Sequence, residues 1–344
     1  MKISAGVVLA VLLVVALGCG NDSPREVITM LPPDQGSNLG QAPNGGAAAI
    51  GQQGGGQQAL GAPAPPGTVA VSESHYNRGV LLAQQGDLQA AASEFRLALQ
   101  DNPRDAKAHN NLGVLMERQG DLLGAIDQYR QALAIDPTLA RTHRLLARAL
   151  DSTGDFNGAI DEYRAALKLD PNNPGAHNDL GVALRGQGDL RDAIYQYRQA
   201  LALDPRDFAA HVNLGIAYYQ SGDVNAAAKE LQYATQVRPD NVVVHNVLGF
   251  VLFDTGNING AMNQWQTAAK LDPHNPDALA AMSIGYARLG MPGRALDSYR
   301  QAVALAPGYL CNSEQLRNQG HWGGPALTAL LQIGRQPDAP KCGD

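Results

Sequence analysis

From residue 72 to residue 309 small, bulky and polar positions recur with a period of 34 residues. The recurrence divides the chain into seven units: 72–105, 106–139, 140–173, 174–207, 208–241, 242–275 and 276–309. Numbering each unit from 1, position 8 is small: Gly79, Gly113, Ala147, Gly181, Gly215, Gly249 and Ser283. Position 24 is bulky: Phe95, Tyr129, Tyr163, Tyr197, Leu231, Trp265 and Tyr299. Positions 20 and 27 are always alanine, position 15 is always glycine and position 32 is always proline. A fixed period of this length marks a stack of like supersecondary units. Glycine at position 15 can end a helix in the left-handed conformation. The residue after it is Asp87, Asp121, Asp155, Asp189, Asp223 or Asn257 in the first six units, each a good N-cap for a second helix. In the seventh, Met291 takes that place and Pro292 follows, suited to a helix's first turn. Alanine 20 opposite small residue 8 lets two helices approach closely, and the bulky residue 24 fills the wedge beside them. Proline 32 stops the second helix. The pattern therefore predicts two antiparallel helices per unit.

This combination of glycine 15, alanine 20, alanine 27 and proline 32 resembles the tetratricopeptide repeat, in one uninterrupted register over 72–309. The resemblance implies an all-α fold, a right-handed α-solenoid of seven helix hairpins, with a C-terminal cap. It also implies a concave surface, lined by the first helix of each unit, that binds protein partners. Carried over to this chain, positions 5 and 6 contribute Asn77, Asn110, Asn111, Asn178, Asn213 and Asn246. Position 9 contributes Val80, Val114, Arg148, Val182, Ile216 and Phe250, and Arg144 adds positive charge one turn from Arg148. Asparagine amides both donate and accept, so they suit a ligand's peptide backbone. The departure from the family is position 4, often tryptophan there but His75, His109, His143, His177, His211 and His245 here. Equivalent residues of successive units stand at least one helix packing distance apart, about 8–10 Å. Two imidazoles on one zinc need nitrogens about 2.0–2.1 Å from the metal. The histidines are therefore expected to pack at the helix seam, with no metal or other cofactor.

The first 19 residues carry one lysine, an apolar run from Ile3 to Leu17 and then small residues before Cys19, the features of an export signal. Ala16-Leu17-Gly18-Cys19 resembles a bacterial lipobox, which implies that Cys19 carries lipid. Gly20 follows it in place of the aspartate that signals inner-membrane retention in enterobacterial lipoproteins, which favours the outer membrane. Residues 20–71 are rich in Gly, Gln, Pro and Ala and are expected to form a disordered tether. Its 52 residues would reach about 40 Å on average. Residues 310–344 form a tail whose apolar stretch 325–333 is expected to cap the last hairpin. The exported setting permits a disulfide between Cys311 and Cys342.

Composition narrows the function. A net charge of −6 and the lack of a basic stripe argue against nucleic acid. No H-E-x-x-H, G-x-S-x-G, P-loop or Cys-x-x-Cys motif occurs, and the recurring aspartates are explained as helix caps. The chain is expected to be a non-enzyme without a small-molecule substrate. The expected role is a lipid-anchored scaffold that recruits protein partners for assembly of an envelope pilus, secretion or export complex. The alternatives are a regulatory or targeting subunit of an envelope enzyme, such as a peptidoglycan hydrolase, and a soluble secreted adaptor.

Overall fold

A computed structural model describes residues 66–306 and 324–340. Signal, lipobox, most of the tether, Cys311 and Cys342 lie outside the described residues. All regular structure among those described is α-helical, in two compact units that divide between Pro171 and Asn172. The first unit holds α1 (Pro66–Gln84), α2 (Leu88–Asp101), α3 (Ala106–Arg118), α4 (Leu122–Ile135), α5 (Ala140–Ser152) and α6 (Phe156–Leu169). The second holds α7 (Pro174–Gln187), α8 (Leu190–Leu203), α9 (Phe208–Ser221), α10 (Val224–Val237) and α11 (Val242–Asp254). It continues through α12 (Ile258–Leu271), α13 (Pro276–Arg288), α14 (Pro292–Leu305) and α15 (Gly324–Gly334). The first helix starts six residues before Ser72, so 66–71 are helical and not part of the tether. Pro66 suits a helix's first position, and the segment after it contains no further proline to stop the turn.

Local chemistry sets the ends of these helices. All seven glycines at position 15 have φ between 72° and 93°, a conformation closed to most other residues. Asp87, Asp121, Asp155, Asp189, Asp223 and Asn257 each accept a hydrogen bond from a backbone N–H in the first turn of the second helix. Met291 makes no such bond, and Pro292 opens α14 without one. The first helices have caps of their own, at Asp105, Asn173, Asp207, Asn241 and Asn275.

Hairpins form by close approach. Each odd helix from α1 to α13 packs on the even helix that follows it, and within each unit every even helix also packs on the next odd one. All seven alanines at position 20 are 0% exposed, and the side chains at position 24 are buried. A Cβ added to Gly113 would sit 2.7 Å from Tyr129 Cε1, so the ring occupies the space that any larger residue would need. The helix α15 lies against α13 and α14, burying Ala326, Leu330 and Ile333.

The six histidines each join the two helices of their own hairpin. Their Nδ1 atoms stand 2.6, 2.8, 2.5, 2.7, 2.7 and 2.7 Å from Glu94, Gln128, Glu162, Gln196, Glu230 and Gln264, always 19 residues on. At His109, His143, His211 and His245, Nε2 also faces the position-32 carbonyl of the preceding repeat, that of Pro103, Pro137, Pro205 and Pro239, at 2.9–3.1 Å. One ring thus ties a hairpin together and ties it to its neighbour. Burial disfavours the charged form of His211, but Glu230, the Pro205 carbonyl and Asp207 outweigh it and hold the pKa above the usual value.

Two outcomes follow from this packing. In an ordinary helix interior Gly→Ala gains about 1 kcal/mol. Gly113→Ala should instead lose about 1 kcal/mol, because overpacking costs about 1–3 kcal/mol and exceeds that gain. Gly293, with open space around it, serves as the control and should gain stability as alanine in the same urea titration. The second concerns pH. The folded pKa of His211 lies above its unfolded value of about 6.5. Its contribution is therefore full below about pH 6.5 and is lost as pH rises through the folded pKa. The urea midpoint should fall over that alkaline interval, and His211→Gln should remove this part of the fall.

Candidate partner-binding face

Within each unit the first helices of successive hairpins lie side by side and carry the positions expected to meet a partner. In the first unit, Asn111 Nδ2 donates to the Tyr76 hydroxyl at 2.9 Å, and Asn110 Nδ2 donates to Asn111 Oδ1 at 3.0 Å. The Thr142 hydroxyl donates to Asn110 Oδ1 at 2.8 Å. The chain Tyr76–Asn111–Asn110–Thr142 thus connects α1, α3 and α5. Asn110, Asn111 and Thr142 are each 0% exposed. The expectation that these two asparagines bind a ligand backbone is corrected here: their amides are consumed inside the fold. Buried polar groups need partners, and neighbouring first helices supply them.

Arg148 differs: its side chain is 37% exposed but is held by an ion pair. Its guanidinium contacts Glu117 Oε1 through Nη2 at 2.9 Å and through Nε at 3.2 Å, while the Tyr129 hydroxyl donates to Glu117 Oε2 at 2.8 Å. The positive spot is neutralised by an acid from the preceding repeat. Arg144 is half-buried, as is Val80, and Val114 is buried. Asn77 is exposed and lines a cavity of about 340 Å³ with Tyr76, Arg104, Lys107 and Asp136.

In the second unit, Asn178 and Val182 are half-buried, and Asn178 Oδ1 accepts from Asn213 Nδ2 at 2.9 Å. Asn213 and Asn246 are each 7% exposed. Asn246 reaches Asn275 Oδ1 at 3.4 Å, and its backbone carbonyl accepts from the Trp265 indole at 3.3 Å. Ile216 and Phe250 are buried, not displayed; the Phe250 ring meets Trp265 edge-on at 5.3 Å. The Tyr219 hydroxyl donates to Asp254, whose burial raises its pKa despite that hydrogen bond. Sequence reasoning missed Tyr76, Thr142, Glu117 and the Tyr219–Asp254 pair. The shared 35-residue step from Tyr76 to Asn111 and from Tyr219 to Asp254 was a usable signal.

Among the described residues, no three His, Cys, Asp or Glu side chains stand together in a way that could hold a metal ion. Nor is any described helix long and apolar enough to cross a membrane. The polar chain carries a testable consequence. Asn111→Leu removes the acceptor of buried Asn110 Nδ2 and breaks the link to Tyr76, so it should cost about 1–3 kcal/mol in urea unfolding. Tyr76→Phe removes the far end alone and should cost less.

Family models described as "TPR repeat" match residues 148–188 and 183–222, and models described as "Tetratricopeptide repeat" match 76–140 and 219–284. No curated protein matches the chain. Among solved structures, a tetratricopeptide repeat protein from Parabacteroides merdae is 16% identical with a TM-score of 0.55, over 78% of this chain and 100% of that one. PilW, a widely conserved type IV pilus biogenesis factor, is 20% identical with a TM-score of 0.54, over 61% of this chain and 96% of its own. Pseudomonas aeruginosa pilF is 20% identical with a TM-score of 0.53, over 62% and 96%. These likenesses show the fold. With the matched family models spanning more than half of its residues, the chain belongs to the tetratricopeptide repeat family.

Proposed function

We propose that this chain is a lipid-anchored scaffold whose repeat units recruit polypeptide partners during assembly of an envelope complex. The observation that carries the reading is the run of seven helix hairpins behind a lipobox-like Ala16-Leu17-Gly18-Cys19. Stacked hairpins offer extended surface to a partner and little that resembles a reaction centre. Lipid on Cys19 and the glycine-rich segment after it would hold the repeats beside a membrane without fixing their orientation. Gly20 favours the outer membrane, facing the periplasm. In the proposed arrangement α15 caps the last hairpin, and Arg300 Nη2 donates to the Asp338 carbonyl at 2.7 Å to hold the chain after it. A Cys311–Cys342 disulfide would secure the same tail. On the partner-binding face, Asn77 is exposed and Val80, Arg144, Arg148, Asn178 and Val182 are half-buried. The type IV pilus setting enters by analogy with PilW, whose architecture is similar.

The experiment is affinity capture of the cross-linked, membrane-extracted protein, combined with palmitate labelling. Labelled palmitate should enter the wild-type chain and not Cys19→Ala. The wild type should retain an envelope protein that a double substitution of Asn77 and Asn178 to alanine releases. Labelling of Cys19→Ala, or capture unaffected by the double substitution, would contradict the proposal.

A further inference from the structure

Arg185 lies near the end of α7 and is 3% exposed, yet its Nε and Nη1 atoms meet no hydrogen-bond partner. None of the ion pairs among the described residues involves it. A guanidinium does not shed its proton in a protein, so the charge remains buried. A buried charge without a counter-ion is strongly unfavourable. Gln220, near the end of α9, is in a matching state: both its amide nitrogen and its amide oxygen are buried without partners. The helices α7 and α9 pack against each other. Arg185 and Gln220 are 35 residues apart in sequence. The same step joins Tyr219 to Asp254 by a hydrogen bond and places Arg288 over the Phe253 ring at 6.0 Å. Arg185 and Gln220 thus hold the register positions that Tyr219 and Asp254 hold one hairpin further on, without a hydrogen bond between them. Asp254, the acid one hairpin further on, is already held by Tyr219.

We propose that Arg185 and Gln220 form an anchor for an Asp or Glu side chain of a polypeptide lying along the first helices of this unit. A carboxylate is the acceptor-only group that complements a guanidinium, and the bond is charge-assisted. The Gln220 amide adds one donor, and its oxygen can take a peptide N–H. Gln220 is half-buried, so part of the residue reaches the surface. The anchor deepens the partner-recruiting reading and rests on it.

The probe is a blocked, fluorescent hexaglutamate peptide, with hexaglutamine as control, titrated against the full chain by anisotropy. Wild type should bind hexaglutamate saturably and hexaglutamine weakly or not at all. Arg185→Met should weaken hexaglutamate binding roughly 10- to 100-fold, the range for a hydrogen bond to a charged group. Gln220→Leu should weaken it less. Arg185→Met should also unfold at the same urea concentration as wild type or a higher one, because it replaces an unpaired buried charge with an apolar chain. Equal hexaglutamate affinity in wild type and Arg185→Met, or no binding to wild type, overturns the anchor. So does a lower urea midpoint for Arg185→Met, which would mean that the guanidinium has a structural partner. Affinity capture separates the two readings. A partner retained equally by Arg185→Met leaves recruitment standing and removes the anchor. If wild type retains no partner, recruitment itself fails and the anchor falls with it.

Discussion

The approach of two helices to within the width of an alanine is the constraint on which every hairpin depends. It requires a small residue at position 8, alanine at position 20 and a bulky side chain at position 24. Where glycine stands at position 8, as at Gly113 and Gly215, the atoms of Tyr129 and Leu231 occupy the room a Cβ would take. Interiors packed to this density tolerate neither added nor removed volume cheaply. The same demand explains why alanine 20 is fully buried in every hairpin although it contributes little area itself. Its smallness is its function. In the seventh unit Ser283 takes position 8, and its hydroxyl turns back to the Ala280 carbonyl at 2.6 Å, satisfying the extra polar atom within α13.

Polar groups settle what apolar packing leaves open. A hydrophobic wedge would tolerate small sliding of one helix along the other. A histidine held by a second-helix Glu or Gln removes that freedom, since hydrogen bonds have narrow geometry. Where Nε2 also meets the carbonyl of the preceding proline, the link extends to the preceding hairpin. The alternation of Glu94, Gln128, Glu162, Gln196, Glu230 and Gln264 makes successive clasps chemically unlike. A carboxylate can only accept a hydrogen bond, while a carboxamide can turn to donate or accept one. The Tyr76–Asn111–Asn110–Thr142 chain performs a similar office between first helices, and leaving any one member unpaired would be costly.

Much of this fold was legible because its requirements are local or keep a constant register. Gly86 and its equivalents need only a left-handed φ, and Asp87 and its equivalents cap the very next turn. Alanine 20 and the bulky residue 24 recur at fixed positions, so their pairing could be inferred without coordinates. The binding face was less legible. Family positions assign Asn110, Asn111 and Phe250 to the correct helices but not to a depth. Depth depends on which side chain the neighbouring repeat sets opposite, as Tyr76 and Thr142 are set opposite Asn111 and Asn110. Arg148 suggested positive charge because Glu117 lies 31 residues away in another repeat. The histidines were expected at the helix seam, but their partners were not read, because a position that varies between Glu and Gln resembles an ordinary solvent-facing site. The tether was expected to run to residue 71, but α1 begins at Pro66 in a segment whose composition resembles a linker.

What the repeats present to a partner is therefore the remainder after internal demands are met, a narrower surface than family positions alone would assign. All of it presumes that the seam between positions 8 and 24 governs each hairpin. A double-mutant cycle between Gly215 and Leu231 in urea unfolding tests this most directly. The Cβ of Gly215→Ala would lie 2.8 Å from Leu231 Cγ. The substitution should therefore destabilise the wild-type background yet become neutral or favourable once Leu231→Ala has cleared the space. The resulting coupling should be at least about 1 kcal/mol, within the range for residues in contact. Additive effects, with Gly215→Ala costing the same in both backgrounds, would contradict the account.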